Sequence, residues 1–96
     1  MDQQDKPLRN KVSIQDIYDK IKATQYIALS DGRTTLCVAN TENGFTVVGK
    51  SACVDKNNYN QSLGEKYAFE DVVEQMWELE GYLLKQERYI ALGEGV

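Results

Sequence analysis

Two dipeptides, Asp31-Gly32 and Asn43-Gly44, constrain the fold of this 96-residue chain more than any other feature of its sequence. Each stands between two segments that are rich in apolar and β-branched residues. Asp-Gly and Asn-Gly readily adopt the positive φ angles that tight hairpin turns require. The sequence therefore predicts three antiparallel strands, over 24–30, 33–40 and 45–52, joined by two short turns.

Helical periodicity appears on both sides of these strands. Apolar residues recur at i, i+3, i+4 and i+7 before the first strand: Ile14, Ile17, Tyr18 and Ile21. This spacing predicts a short helix over 14–22, with Ser13 and Asp16 as its capping pair. A longer apolar stripe begins after Ser62, which forms a second candidate capping pair with Glu65. We predict an α+β domain of order α-β-β-β-α, in which a three-stranded antiparallel meander is packed by a short N-terminal and a long C-terminal helix.

The ends of the chain are polar or glycine-rich. Residues 1–12 contain the only proline, Pro7, and show no periodicity, so we predict a flexible tail there and a frayed C-terminus at 93–96. The single domain then covers residues 13–92. Gly81 lies inside the pattern of the second helix, where glycine costs about 1 kcal/mol relative to alanine. We expect a tight helix–sheet or helix–helix contact at Gly81.

The two turns predict a strand register. Asp31-Gly32 at the centre of the first turn places Tyr26 opposite Cys37, and Asn43-Gly44 at the centre of the second places Cys37 opposite Lys50. In this register Cys53 lies about 10 Å along the strand from the position facing Cys37, which is too far for a disulfide. One face collects the larger aliphatic residues, and we predict that it is the core face: Ile27, Leu29, Leu36, Val38, Phe45 and Val47.

Two helices can cover only one face of such a sheet, so the second face should remain open. This second face is a candidate partner or dimer surface. The alternative interpretation is an amphipathic face that contacts only solvent. The candidate contact residues of the second face are Tyr26, Thr35, Cys37, Thr46, Val48 and Lys50. Because the core of a chain this short is small, we also expect a homodimer.

The sequence contains no histidine and only two cysteines. The commonest general base and the commonest zinc ligand are therefore missing, and two cysteines cannot complete a four-ligand site within one chain. Cys53 is the best remaining nucleophile, but no base or cation accompanies it in the sequence. We expect a protein that is not an enzyme and that binds no metal or cofactor, with both thiols reduced.

Three motif-like segments have structural interpretations. Gly44–Ser51 has the spacing of a phosphate-binding P-loop, but Phe-Thr-Val-Val occupies the loop and predicts a strand instead. Asp55–Asn60 resembles the start of a calcium loop but lacks its glycine and its bidentate glutamate. The i, i+4 carboxylates Glu70, Glu74 and Glu78 are expected to form a solvated helix face.

The charge distribution disfavours nucleic acids as ligands. The net charge is −4, and residues 23–96 alone carry six basic and eleven acidic residues, a net of −5. The order α-β-β-β-α is also that of double-stranded-RNA-binding domains, yet those domains place lysines at the start of the last helix, and the helix here is acidic. No apolar run approaches the roughly 20 residues of a membrane span, and the N-terminus lacks the pattern of a signal peptide. We expect a cytoplasmic protein without membrane contact.

Two longer segments resemble a known family. Asn43–Asp55 reads NGFTVVGKSACVD and Met76–Leu84 reads MWELEGYLL. Both are similar to motifs of the small phage proteins named for the gene 49 product of coliphage N4 and the gene 66 product of Shigella phage Sf6. Lys56 and Tyr59 stand where that family carries proline and phenylalanine. The resemblance implies a phage or prophage origin and, with it, the host cytoplasm as location; it implies no activity.

Taken with the acidic body, this origin leads us to expect a small accessory protein that binds a host or anti-phage defence protein. An alternative function, of a different class, is sequestration of a small nucleotide signal at a dimer interface. That function would need cationic groups converging on phosphates. The candidate anion contacts of the folded body are Arg33, Lys50, Lys56 and Lys66.

Overall fold

The computed structural model describes residues 8–95 and has the predicted order α-β-β-β-α. Its elements are α1 (Ile14–Lys20), β1 (Ile21–Ala28), β2 (Thr34–Thr41), β3 (Thr46–Ala52) and α2 (Gln61–Leu92), and a 3-10 turn at Lys56–Asn58 precedes α2. The three strands form one antiparallel sheet in the order β1-β2-β3. The α+β meander predicted from the sequence is confirmed.

The helix starts follow local capping chemistry. The Ser13 hydroxyl accepts from the Asp16 amide while the Asp16 carboxylate accepts from the Ser13 amide, which confirms the predicted capping box. The prediction for α2 was wrong by two residues. Its N-cap is Asn60, whose side-chain oxygen accepts from the Leu63 amide, so the helix begins before Ser62. Asparagine caps a helix about as well as serine, and here it comes first along the chain.

The turn after β1 sets the predicted register. Tyr26 pairs with Cys37 and Ile27 with Leu36, as expected. The Asp31 carboxylate accepts from the amides of Arg33 and Thr34 and from the Thr34 hydroxyl, and Gly32 adopts a φ of 72°. The strand itself begins earlier than predicted, directly after α1, with a register irregularity between Ile21 and Ala23.

The register of β3 differs from the prediction by one residue. Thr41 pairs with Phe45 through backbone hydrogen bonding, so the loop has three residues with Gly44 at a φ of 87°, not two. Cys37 consequently lies opposite Gly49 instead of Lys50. Because side chains alternate, the shift moves every β3 side chain to the other face of the sheet.

The face that α2 covers is the opposite of the predicted core face. Its buried residues on the sheet are small or medium in size: Thr35, Cys37, Ala39, Val47 and Gly49. Of the six predicted core residues, only Val47 lies in the core; Ile27, Leu29 and Phe45 are exposed, and Leu36 and Val38 are half-buried. The prediction was based on side-chain size. Which face α2 covers is decided instead by how closely the α2 backbone can approach the sheet.

Two glycines bring about this close approach. A Cβ on Gly49 would lie 2.3 Å from the Ala68 carbonyl oxygen and 2.7 Å from the Val72 amide nitrogen. A Cβ on Gly64 would lie 2.6 Å from the Thr35 hydroxyl. Helix backbone therefore rests almost directly on strand backbone, which only the small-residue face of the sheet allows.

The remaining core lies between α1, the sheet and α2. Ile17 from α1, Ala68, Val72 and Met76 from α2, and the inward residues of β2 and β3 form one buried cluster. Part of the predicted tail also packs, since Val12 contacts this cluster and the Arg9 guanidinium lies 2.9 Å from the Glu87 carboxylate. Residues 1–7 of that predicted tail lie outside the described residues. At the other end, Gly93 caps α2 and Glu94 pairs with Arg88 at 2.7 Å, while Val96 of the predicted frayed end lies outside the described residues.

Candidate binding surfaces

The sheet has an open side, which we call the outer face. Strand alternation and the observed register assign to it eleven strand residues: Ala23, Gln25, Ile27, Thr34, Leu36, Val38, Asn40, Thr46, Val48, Lys50 and Ala52. Ile27, Leu36, Val38 and Val48 form its apolar centre, and Val48 is 48% exposed. Lys50 is the only charged residue of the set, although 27% of the chain is charged. A face with an apolar centre and a single charge is typical of a contact surface.

The predicted partner surface is divided between the two sides of the sheet. Thr46, Val48 and Lys50 lie on the outer face, where a partner could reach them. Thr35 and Cys37 face α2 and are fully buried, and Tyr26 packs against the core beside Cys37. The side of the sheet that was predicted to stay open is the side that α2 covers, so these three residues do not lie on the outer face.

The acidic residues of α2 form a second surface, the acidic ridge. It consists of Glu70, Glu74 and Glu78, which succeed one another at i, i+4 on the side of α2 turned away from the sheet and are exposed. Within residues 8–95, none of the three forms an ion pair. Trp77 and Gly81 lie beside them, and a Cβ on Gly81 would meet no atom within 4 Å. The predicted tight contact at Gly81 is thus not made within the described part of the chain.

The candidate anion contacts do not converge on one site. Arg33 and Lys56 line a shallow cleft, but Asp31 and Asp55 line the same cleft. Hydrogen bonds from Thr34 and Arg33 lower the pKa of Asp31 to about 2, so this carboxylate is charged at any physiological pH. Lys50 lies on the outer face, and the Lys66 ammonium lies 5.8 Å above the Tyr67 ring on α2. Two carboxylates beside two cations make a poor phosphate site.

The two thiols occupy different environments. Both cysteines are free, in agreement with the expected lack of a disulfide. Burial raises the pKa of the Cys37 thiol, and Tyr26 lies directly opposite it on β1. The Cys53 thiol donates to the Asp55 carbonyl oxygen at 3.3 Å. Within the described residues, no three His, Cys, Asp or Glu side chains come together in a metal-binding group.

Sequence reasoning missed the apolar centre of the outer face, because it assigned Ile27, Leu36 and Val38 to the core. One signal could have identified the covered face. Gly49 interrupts a strand of β-branched residues, and glycine within a strand often marks the close approach of another backbone. With Gly49 assigned to the helix side, Val48 and Lys50 necessarily point outward.

Together, the fold and its surfaces define a small α+β protein with an acidic helix and an open sheet face that has an apolar centre. Comparison with family models identifies its class: the model of the phage protein (N4 Gp49/phage Sf6 gene 66) family matches residues 12–88. This match spans most of the chain, and the protein therefore belongs to that family of phage proteins. Comparisons with curated proteins and with solved structures found no match. None of the helices within residues 8–95 combines the length and apolarity needed to cross a membrane.

Proposed function

We propose that this phage protein acts by binding a host or anti-phage defence protein, and that the outer face of the sheet is its contact surface. The observation that carries the proposal is the apolar centre around Val48, which the described chain leaves open on a face with a single charge. The centre of a protein interface is depleted in charged residues and rich in well-packed apolar contacts. Under this proposal the protein works in the host cytoplasm.

Charge indicates the kind of partner. Asp31 lies in the turn at one end of the outer face and Glu42 in the turn at the other, and the chain carries a net charge of −4. A partner with an apolar patch surrounded by basic residues would complement this arrangement. The acidic ridge adds to the negative electrostatic field that these charges create. Such a field speeds the encounter with a basic protein without contributing much to the final affinity.

The geometry supports a nucleotide or a nucleic acid as the ligand less well than it supports a protein. A nucleotide would need several cations at one place, whereas Arg33 and Lys56 share their cleft with two carboxylates. Nucleic acid would need a basic surface, and the outward side of α2 is acidic. The experiment described next would detect a bound ligand of either class.

The proposal is tested with two valine variants that are matched in chemistry. Val48→Asp places a charge at the centre of the outer face, and Val54→Asp places the same charge on a loop residue that is 95% exposed and outside this face. Tagged wild-type and variant proteins are recovered from infected host cells, and bound proteins, nucleotides and nucleic acids are identified. The recovered partner is then purified and its affinity measured by calorimetry.

We expect a stoichiometric partner protein whose affinity falls by about 30-fold or more with Val48→Asp, since a buried apolar contact becomes a desolvated charge. Val54→Asp should bind like the wild type. Equal binding by both variants would show that the outer face is not the contact surface. Recovery of a nucleotide or nucleic acid in place of a protein would overturn the proposed function itself.

A further inference from the structure

Helix α2 is much longer than the sheet it covers. Its 32 residues extend about 48 Å, whereas strands of seven or eight residues extend about 25 Å. The turn between β2 and β3, which marks one end of the sheet, lies beside Met76–Leu83. The helix beyond this point, residues 84–92, therefore projects past the sheet, and the molecule measures 54 × 31 × 18 Å.

The apolar stripe that packs α2 on the sheet continues in phase along this projection. Its members follow one another at alternating steps of three and four: Phe69, Val72, Met76, Leu79, Leu83 and then, one heptad later, Ile90. Val72 and Met76 are buried under the sheet, but Leu79 is 42% and Ile90 is 73% exposed. Spacing of this kind, 3.5 residues per turn, is that of a seam between two packed helices.

We infer that a second copy of this chain covers the seam, with the two α2 helices antiparallel about a two-fold axis between residues 84 and 85. Leu79 of each copy then faces Ile90 of the other, and Leu83 faces Gln86 of the other. Such an interface is self-complementary, as a two-fold dimer requires. The one polar seam residue, Gln86, falls next to the axis, where a polar group helps to select one register.

The charges beside the seam favour a second copy as the occupant. On one side lie Glu80 and Glu87, and both are already paired within their own chain, Glu80 with Lys20 at 2.6 Å and Glu87 with Arg9 at 2.9 Å. On the other side lie Tyr82 and Tyr89, which are uncharged and exposed, Tyr82 to 75%. Two copies therefore meet without unpaired charges at the seam. The acidic ridge points away from the partner helix.

Shape and area agree with this assignment. A cleft of about 360 Å³ runs between Phe45 on the sheet and Met76, Leu79 and Leu83 on α2. In the inferred register Ile90 of the second copy lies at its mouth. Covering the exposed parts of these side chains and the two tyrosines would bury about 1,200 Å² in total, the lower bound for a specific interface.

Analytical ultracentrifugation of the full chain at up to about 200 μM tests the dimer. We expect a concentration-dependent dimer that Ile90→Lys weakens by about 100-fold or more, since the substitution removes two buried isoleucines per dimer. Leu63→Lys is the matched control, because Leu63 is an exposed α2 residue near the other end of the helix. Circular dichroism verifies that each variant is folded; Ile90 lies outside the core, so Ile90→Lys should retain the wild-type spectrum.

Disulfide crosslinking tests the antiparallel register. In a Cys53→Ser background, the double variant Leu79→Cys/Ile90→Cys should form a covalent dimer on mild oxidation, while either single cysteine should not. The two positions are about 16 Å apart along one helix, which prevents an intrachain bond. A wild-type monomer at all concentrations, a dimer unaffected by Ile90→Lys, or crosslinking by the single variants would each overturn the inference.

Discussion

At the scale of single residues, two glycines of this chain are under opposite steric constraints. Gly49 has no room for a Cβ, because the Ala68 carbonyl oxygen would lie 2.3 Å from it. Gly81 has room on all sides and sits within α2, where glycine is less stable than alanine. The first glycine is required by packing within the chain, whereas the second has no such requirement in the described part of the chain.

These two glycines provide a matched pair of substitutions. Gly49→Ala should lower the free energy of unfolding by about 3 kcal/mol, because α2 must move away from the strand. Gly81→Ala should raise it by about 0.5–1 kcal/mol, because alanine restricts the unfolded chain and favours the helix. Urea denaturation monitored by circular dichroism measures both. An equal response of the two variants would mean that the close approach at Gly49 does not limit the packing.

At the scale of elements, α1 depends on tertiary contacts for its stability. A helix of seven residues is too short to be stable alone. Ile17 anchors it in the core, Tyr18 stacks on Phe69 of α2 with ring centroids 6.2 Å apart, and Lys20 at its end pairs with Glu80. Glu80 is only 5% exposed, so its carboxylate needs this partner.

Removing the partner of Glu80 should therefore destabilise the fold. Lys20→Met should lower the free energy of unfolding by about 3 kcal/mol, since a nearly buried carboxylate is left unpaired. Lys22→Met is the control: Lys22 is exposed two residues further on, and its replacement should change stability by less than about 0.5 kcal/mol. In urea denaturation, the double variant Lys20→Met/Glu80→Leu should recover most of the loss. Failure to recover it would show that Lys20 contributes by packing and not by pairing.

At the scale of the whole molecule, the two proposed contact surfaces lie on different parts of the chain. The outer face is formed by the strands, and the inferred dimer seam lies along α2 from Leu79 to Ile90. A dimer formed through α2 would therefore leave both copies of the outer face free for another protein. Two binding faces held in one particle would also raise the apparent affinity for a partner with two sites.

This arrangement predicts how thermal stability depends on concentration. Because dimerisation stabilises only the folded state, the midpoint of thermal unfolding should rise with protein concentration for the wild type. It should also rise for Val48→Asp, which alters the outer face alone, but should stay constant for Ile90→Lys. Differential scanning calorimetry over a hundredfold concentration range checks this. A constant wild-type midpoint, or a loss of the rise with Val48→Asp, would contradict the separation of the two surfaces.

Sequence alone determined the features that depend on near neighbours. Ser13 and Asp16 cap α1, and the Asp31-Gly32 turn sets the β1–β2 register, because each involves contacts within a few residues. The element order follows from hydrophobic period for the same reason. These predictions did not require knowledge of which helices and strands pack against each other.

Only the tertiary structure decided which face of the sheet became the core. The loop at Asn43-Gly44 could have two or three residues, and this choice sets the side on which Val48 and Gly49 lie. The choice of covered face depends on the distance between the α2 and β3 backbones, which Gly49 permits only through its contact with Ala68, 19 residues away in sequence. Local sequence patterns show the size of each side chain but not the distance between the α2 and β3 backbones. The larger aliphatic residues were therefore predicted to lie in the core, although they form the outer face.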